Sequence, residues 1–274
     1  MLAGAIAELE RSADATWGVS VSLDGGEPLD GSRAADELRT ASVGKLLLLV
    51  AAARELEAGR MAEDTPIERA PEDAVADSGI WQHLRQPELG LGDACVLIGT
   101  VSDNLATNAL RGVSGLAGVA AVGRELGLAD TALRDRVRDE RRPGDPPALS
   151  TGSAAELRGL FERLMRDELL GPAVSGRVRG WLANGVDLSM VASAFNLDPL
   201  SHQVPDRGFT VINKTGTNTD VRADVGWVRG PAGSAVYAVI ANWRDSDPRD
   251  EVIGGMRSFG AALRDALAIS RASA

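Results

Sequence analysis

Hydrophobic periodicity changes twice along this chain, and the two changes restrict the folds open to it. Near the N-terminus, "TWGVSVSLDGGEPL" alternates Val19, Val21 and Leu23 and then turns at "DGGE", the signature of a strand followed by a turn. From about residue 60 to 205 the spacing is helical, through "GDACVLIGTVSD", "NLATNALRGV", "GLAGVAAVGRELG" and "SAAELRGLFERLM". Alternation then returns in "GFTVINKTG", "RADVGWVRG" and "SAVYAVIANW", three strand-like runs joined by short turns. Helical runs close both ends, with Leu2, Ile6 and Leu9 at one and "DEVIGGMRSFGAALRDALAI" at the other. A lone early strand and a late meander can share one core only by sharing one sheet. The pattern predicts an α+β fold, an α/β sandwich: an antiparallel sheet drawn from both termini, flanked by helices, with an all-helical domain inserted. The expected division is 1–46 with 206–274 for the sheet domain and 47–205 for the helices, the active site lying in the cleft between them.

With 274 residues, 44% of them hydrophobic, the chain can bury a large core. A net charge of −10 argues against nucleic acid and anionic membrane surfaces as partners. Cys95 lies in the apolar run "ACVLIGTV" and reads as a buried reduced thiol; His83 and His202 are isolated, so no metal or cofactor is expected. The start, "MLAGAIAELERSADA", spreads its charges and does not resemble a secretion signal. The expectation is a cytoplasmic monomer, or a secreted one if a leader has been removed.

Lysine usage is the sharper clue. Of 29 basic residues only Lys45 and Lys214 are lysines; the rest are arginines. Base composition alone would scatter the survivors anywhere. Chemistry offers another reason: arginine stays protonated, whereas a lysine amine can be made neutral by its surroundings and accept a proton. The neighbours of each lysine decide between these.

In "SVGKLLLLVAAARELEAG", Ser42 and Lys45 are three apart at the start of a helix that stops near Gly59. At that spacing the amine and the hydroxyl share a face. The unpaired N–H groups of a helix start can bind an oxyanion, and the positive helix end disfavours a protonated amine. The arrangement can supply a nucleophile, a base and part of an oxyanion hole, although Ser-x-x-Lys also arises as a cap with a solvated amine. In "VSDNLATN", Ser102 can relay a proton and Asn104 can hold a substrate amide; alternatively Ser102 or Asp103 simply caps the next helix. In "INKTGTNTD", Lys214, Thr215, Gly216 and Thr217 end a strand-like run against which an extended acyl substrate can lie. The plain alternative there is a surface turn.

Taken together, Ser-x-x-Lys, Ser-Asp-Asn and Lys-Thr-Gly in this order are the motif set of the serine penicillin-recognising enzymes. Both lysines fall inside it. The chain resembles the class A β-lactamases, with further likeness through "SDNLATNALRGVSGLAGVAAVGRELG" and "NKTGTNTDVRADVGWV". The resemblance implies a β-lactamase-like fold and an acylated nucleophile at Ser42. It implies Lys45 as its proton acceptor and Ser102 as the relay to the leaving nitrogen. It places Asn104 on the substrate side-chain amide, Lys214, Thr215, Gly216 and Thr217 along the substrate carboxylate and strand edge, and Arg222 as added positive charge. The N–H groups of Ser42 and Thr217 would form the oxyanion hole. The implied substrate is a small acyl compound, a β-lactam or an ester, opened through an acyl-enzyme. An intracellular esterase or amidase and an acyl-trapping binder remain as alternatives.

The resemblance breaks in "TALRDRVRDERRPGDPPALSTG". Class A enzymes carry there a glutamate that activates the deacylating water, followed four residues on by an asparagine. Aligned without gaps on "LRDR", that position is Arg138, and Glu140 is the substitute base to consider. Residues 193–208, "SAFNLDPLSHQVPDRG", read as an insertion placed to line the cleft.

Overall fold

The computed structural model describes residues 2–200 and 205–268. Four strands make most of one antiparallel sheet: β1 (Thr16–Leu23), β8 (Thr210–Asn218), β9 (Val221–Gly230) and β10 (Gly233–Asn242), with the two-residue β2 (Leu29–Asp30) at one edge. The order is β2-β1-β10-β9-β8, so the N-terminal strand lies beside the last strand of the meander. Val19 sits opposite Val239, and Lys214 opposite Val225. Two minor sheets, β3 (Leu38–Arg39) with β6 (Ala132–Leu133) and β7 (Ser150–Gly152), and β4 (Pro66–Glu68) with β5 (Glu88–Gly90), brace the connections. Such short strands carry too little periodicity to be read from sequence.

Both faces of the sheet are covered. In β10, Val236, Ala238 and Ile240 enter one core, and Ala235, Tyr237, Val239 and Ala241 enter another, the period-two alternation of a strand buried on both sides. The second core is closed by α1 (Leu2–Leu9) and α7 (Arg249–Ala268). Leu2, Ile6 and Leu9 pack there against Val252, Met256 and Phe259. The first core is shared with α2 (Lys45–Glu57), α3 (Leu91–Val101), α4 (Asn104–Glu125), α5 (Ala154–Met165) and α6 (Pro172–Leu182). Helix α5 lies directly against β1, β9 and β10, so the helical segment and the sheet share this core. Helix α2 is buried on every side from Leu46 to Ala53, which is why "LLLLVAAA" shows no polar face. It ends before Gly59, whose φ of +66° suits glycine. The two helical runs after residue 103 form α4, which breaks at Gly115 (φ +63°). Among the described residues no single helix is long and apolar enough to cross a membrane.

The described residues of the expected insertion, 193–200 and 205–208, do not line the cleft. Residues 201–204 lie outside the described residues. Before them, the 3-10 turn Val191–Phe195 packs on α7, and the Phe195 ring meets Phe209 edge-on at 5.3 Å on the far face of the sheet. Val191, Ala192 and Phe195 are apolar and buried, and the nearest apolar surface is that face rather than the polar cleft.

Candidate active site

The 3-10 turn Ala41–Gly44 leads into α2 and presses against the free edge of β8. Ala41 adopts a left-handed backbone, φ +46°, costly for a residue with a side chain and held only by its surroundings. Ser150 supplies the hold: its hydroxyl donates to the Ala41 carbonyl at 2.5 Å and sits 2.8 Å from Thr40 Oγ1. The approach of β8 is equally tight, because a Cβ on Gly216 would stand 2.2 Å from the Thr40 carbonyl oxygen and 3.2 Å from the Ser42 nitrogen. Only glycine fits at that position.

Lys45 is fully buried. Its Nζ donates to Ser102 O at 2.6 Å and Asn104 Oδ1 at 2.8 Å, and lies 3.3 Å from Ser102 Oγ. Burial pushes this amine well below the usual lysine range; the charge of Lys214 pushes the same way, and Asp103 partly opposes both. Lys214 is buried from the other side. Its Nζ donates to Ser102 Oγ at 2.9 Å and to Thr215 O at 2.8 Å. Burial lowers its pKa to about 8, against the raising effect of Asp187 and Asp224. The Ser102 hydroxyl thus stands between two amines, turned there by a left-handed backbone (φ +55°) at the end of α3.

In the Ser-Asp-Asn segment the capping reading holds at Asp103. Asp103 is the N-cap of α4, accepting from Ala106 N at 2.9 Å, and its other oxygen accepts from the N–H groups of Ile80 and Trp81. That capping frees Ser102 and Asn104 to face the cleft. Asn104 accepts from Lys45 through its carbonyl and donates to Ala76 O at 3.0 Å.

Two cavities, of about 200 and 230 Å³, meet at Ser42. One is lined by Ser102, Asn213, Lys214, Thr215 and Thr217, together with Val186 and Asp187. The other runs beneath the loop after β6, past Asn104, Arg138, Asp139, Arg141 and Thr217.

Three placements depart from the sequence expectations. Glu140 is exposed and lines neither cavity; its neighbour Asp139 reaches the cleft edge and accepts from Ala76 N at 2.8 Å. Arg138, expected from the sequence at the family's glutamate position, lines the cleft and binds Asp135 and Asp145. Asp135, buried among Arg138, Arg141 and the Arg136 N–H, keeps its carboxyl below the usual range: burial raises it, and those hydrogen bonds outweigh the burial. Arg222 also lines neither cavity. It donates to Asn218 O and Val221 O and lies over the Trp243 ring, 5.7 Å from its centroid, so its charge is taken up by these carbonyls and the ring. Thr215 turns its hydroxyl to Asp187 Oδ2 at 2.6 Å.

Sequence reasoning also passed over Ser150, Asp187 and Asp224. Asp224 is wholly buried, accepts from Asn213 Nδ2 and Tyr237 OH, and has its pKa raised to about 6 by that burial. None sits in a recognisable local motif, and each finds its main partner through the fold. Cys95 is buried in the helical core, as a structural thiol would be.

The sequence matches the family described as the beta-lactamase enzyme family over residues 1–267. Among solved structures, the chain is similar to a beta-lactamase of Sphaerobacter thermophilus, with 26% identity and a TM-score of 0.82 over 97% of this chain and 96% of that one. It is similar in fold to PBP-A, at 22% identity and TM-score 0.82, over 97% and 94% of the two chains. A beta lactamase of Xanthomonas campestris pv. campestris matches at 22% identity and TM-score 0.80, over 97% of each chain.

Proposed function

Because this chain belongs to the beta-lactamase enzyme family, we propose that it is a serine acyl-transfer hydrolase that opens β-lactams or small esters through an acyl-enzyme on Ser42. The observation that carries the proposal is the buried Lys45 amine, depressed by burial and by Lys214, one hydroxyl away from the cleft. Its neutral form accepts the Ser42 proton as Ser42 Oγ bonds to the substrate carbonyl carbon. The N–H groups of Ser42 and Thr217 stabilise the oxyanion. Collapse of the tetrahedral intermediate breaks the bond to the leaving atom, the ring nitrogen in a β-lactam. That atom takes the proton from Lys45 through Ser102 Oγ, which both amines hold. Water then cleaves the seryl ester, releasing the acid and restoring Ser42.

The two halves of this cycle are unequally provided for. Acylation draws on buried, hydrogen-bonded groups. At the place where a base would activate water, the loop presents Arg138, and the lining carboxylates Asp77 and Asp139 are exposed. A general base contributes a factor of about 10² to 10⁴, so the acyl-enzyme forms faster than it clears. A point mutant of PBP-A has been solved as an acyl-enzyme complex with penicillin G, so an acyl-enzyme can persist on a protein of this fold.

The test is timed intact-mass spectrometry with a chromogenic cephalosporin and, separately, with p-nitrophenyl acetate, absorbance being followed in parallel. One rapid equivalent of chromophore and a long-lived adduct on Ser42 are expected from at least one of them. No adduct and no release from either overturns the proposal.

A further inference from the structure

The cavity beside Lys214 is built against a carboxylate. Among its lining residues two are charged, Lys214 and Asp187. Asp187 is fixed in place: Oδ2 accepts the Thr215 hydroxyl at 2.6 Å, Oδ1 accepts the Ser189 hydroxyl at 2.6 Å and the Ser189 N–H at 3.1 Å, and its backbone carbonyl accepts from Asn213 Nδ2. A hydroxyl has one proton. Once Thr215 gives that proton to Asp187, it offers the cleft only lone pairs. The Lys214 ammonium spends two of its three protons on Ser102 Oγ and Thr215 O. Arg222, the second cation that the resemblance implied here, is committed to Asn218 O and Val221 O and lines neither cavity. The strand end therefore presents the Asp187 carboxylate and the Thr215 hydroxyl oxygen, both acceptors, beside Lys214 and the Thr217 hydroxyl.

The geometry points to Asp187 as a specificity residue that selects, at the Lys-Thr-Gly end of the cleft, an uncharged substrate group bearing a hydrogen-bond donor, such as an amide N–H or a hydroxyl, and rejects a carboxylate. This rests on the acyl-transfer reading of the same site and names its substrate class: neutral acyl donors. A carboxylate would meet a like charge and two unmatched acceptors, whereas an amide N–H satisfies Asp187 or Thr215 while its carbonyl takes the remaining Lys214 proton.

The experiment compares benzylpenicillin with the same molecule carrying a primary carboxamide in place of its carboxylate, nearly equal in shape and sharing one reactive ring. The second-order rate of Ser42 acylation is read by intact mass for each. In the unaltered protein the carboxamide should acylate at least about tenfold faster, a modest figure for one like-charge contact next to solvent. Asp187→Asn keeps the shape and removes the charge, and should cut the amide-to-acid ratio at least about tenfold, whatever it does to the absolute rates. Equal rates, or a faster acid, in the unaltered protein overturn the inference, and that comparison needs no variant to fold. An unchanged ratio in Asp187→Asn overturns the role of Asp187. p-Nitrophenyl acetate separates the two layers. If it labels Ser42 while the acid outruns the amide, the preference fails and acyl transfer stands; if nothing labels Ser42, acyl transfer fails and the preference with it.

Discussion

The two walls of the cleft are built on opposite plans. The wall from α2, α3 and β8 is dry: Lys45 and Lys214 are both buried and joined through Ser102. The wall from the loop after β6 is wet and ionic. Arg138 and Arg141 are spent on Asp135 and Asp145, and Asn108 clamps the loop to α4 through Val137 in both directions. Burial lowers both amines of the first wall, Lys45 well below the usual lysine range and Lys214 to about 8. On the second, mutual pairing fixes Asp135, Arg138, Arg141 and Asp145 to one another. Desolvation makes reactive groups, and ion pairing makes rigid ones.

Removing the reactive wall's nucleophile has the largest effect. Ser42→Ala should abolish both the mass adduct and the burst; activity that survives would mean the chemistry is elsewhere. Lys45→Arg is next. It keeps charge and approximate length but loses the neutral amine, and acylation should slow by at least about 10²-fold, the low end for a lost base. The pH profile of the burst sharpens this. Rate should rise with pH as Lys45 loses its proton, and that limb should end well below the ordinary lysine range. It should fall again with an apparent pKa near 8, where Lys214 loses the positive charge it presents to the substrate. A profile climbing without a break past pH 10 would contradict the burial argument, since a solvated lysine titrates at about 10.4.

The dry wall was legible in the sequence and the wet one was not. Ser42, Lys45, Ser102, Asn104 and the Lys214–Thr217 stretch lie in three short motifs, because groups at a helix start, a helix-to-helix turn and a strand edge must be local to be aimed together. Both lysines stood out because this chain uses arginine elsewhere. The meander and the early strand were equally readable, since alternation survives even in fully buried strands. What could not be read depends on distance. Ser150 props Ala41 from 109 residues away. Asp187 takes the Thr215 hydroxyl across 28 residues. Arg222 follows Trp243 rather than the cleft, a choice made by packing and not by spacing. In the loop, charge density was visible, but which carboxylate is buried was not, and burial is what separates Asp135 from Glu140.

Asp135 is therefore the place to disturb the rigid wall. It is the acidic partner that Arg138 and Arg141 share, its side chain 5% exposed against 24% and 27% for theirs. Asp135→Asn should cost about 1–3 kcal/mol in urea unfolding, below the 3–5 of a fully buried broken pair because both arginines reach water. The sign with pH follows from its lowered carboxyl. Its contribution is complete above the unfolded value of about 3.9 and is lost as pH falls through the lower folded value. The stability gap between the unaltered protein and Asp135→Asn should then narrow in acid. A gap constant with pH would mean that shape, not charge, holds the loop.

The smallest effect is expected at Glu140, and it tests which wall limits the cycle. Glu140 is exposed, lines neither cavity, and sits two residues beyond Arg138, which does line the cleft. A side chain that solvated has no means of holding a water against the Ser42 ester. Glu140→Gln should leave the lifetime of the Ser42 adduct within about threefold, far short of the 10² or more that a working base supplies. Asp139→Asn should shift it further, because Asp139 reaches the cleft edge and holds the Ala76 N–H. If Glu140→Gln instead lengthens the adduct's life a hundredfold, the loop must refold once Ser42 is acylated and bring Glu140 inward. The rigidity assigned to the Asp135 pairs would then be wrong, and the two walls would differ in timing rather than in construction.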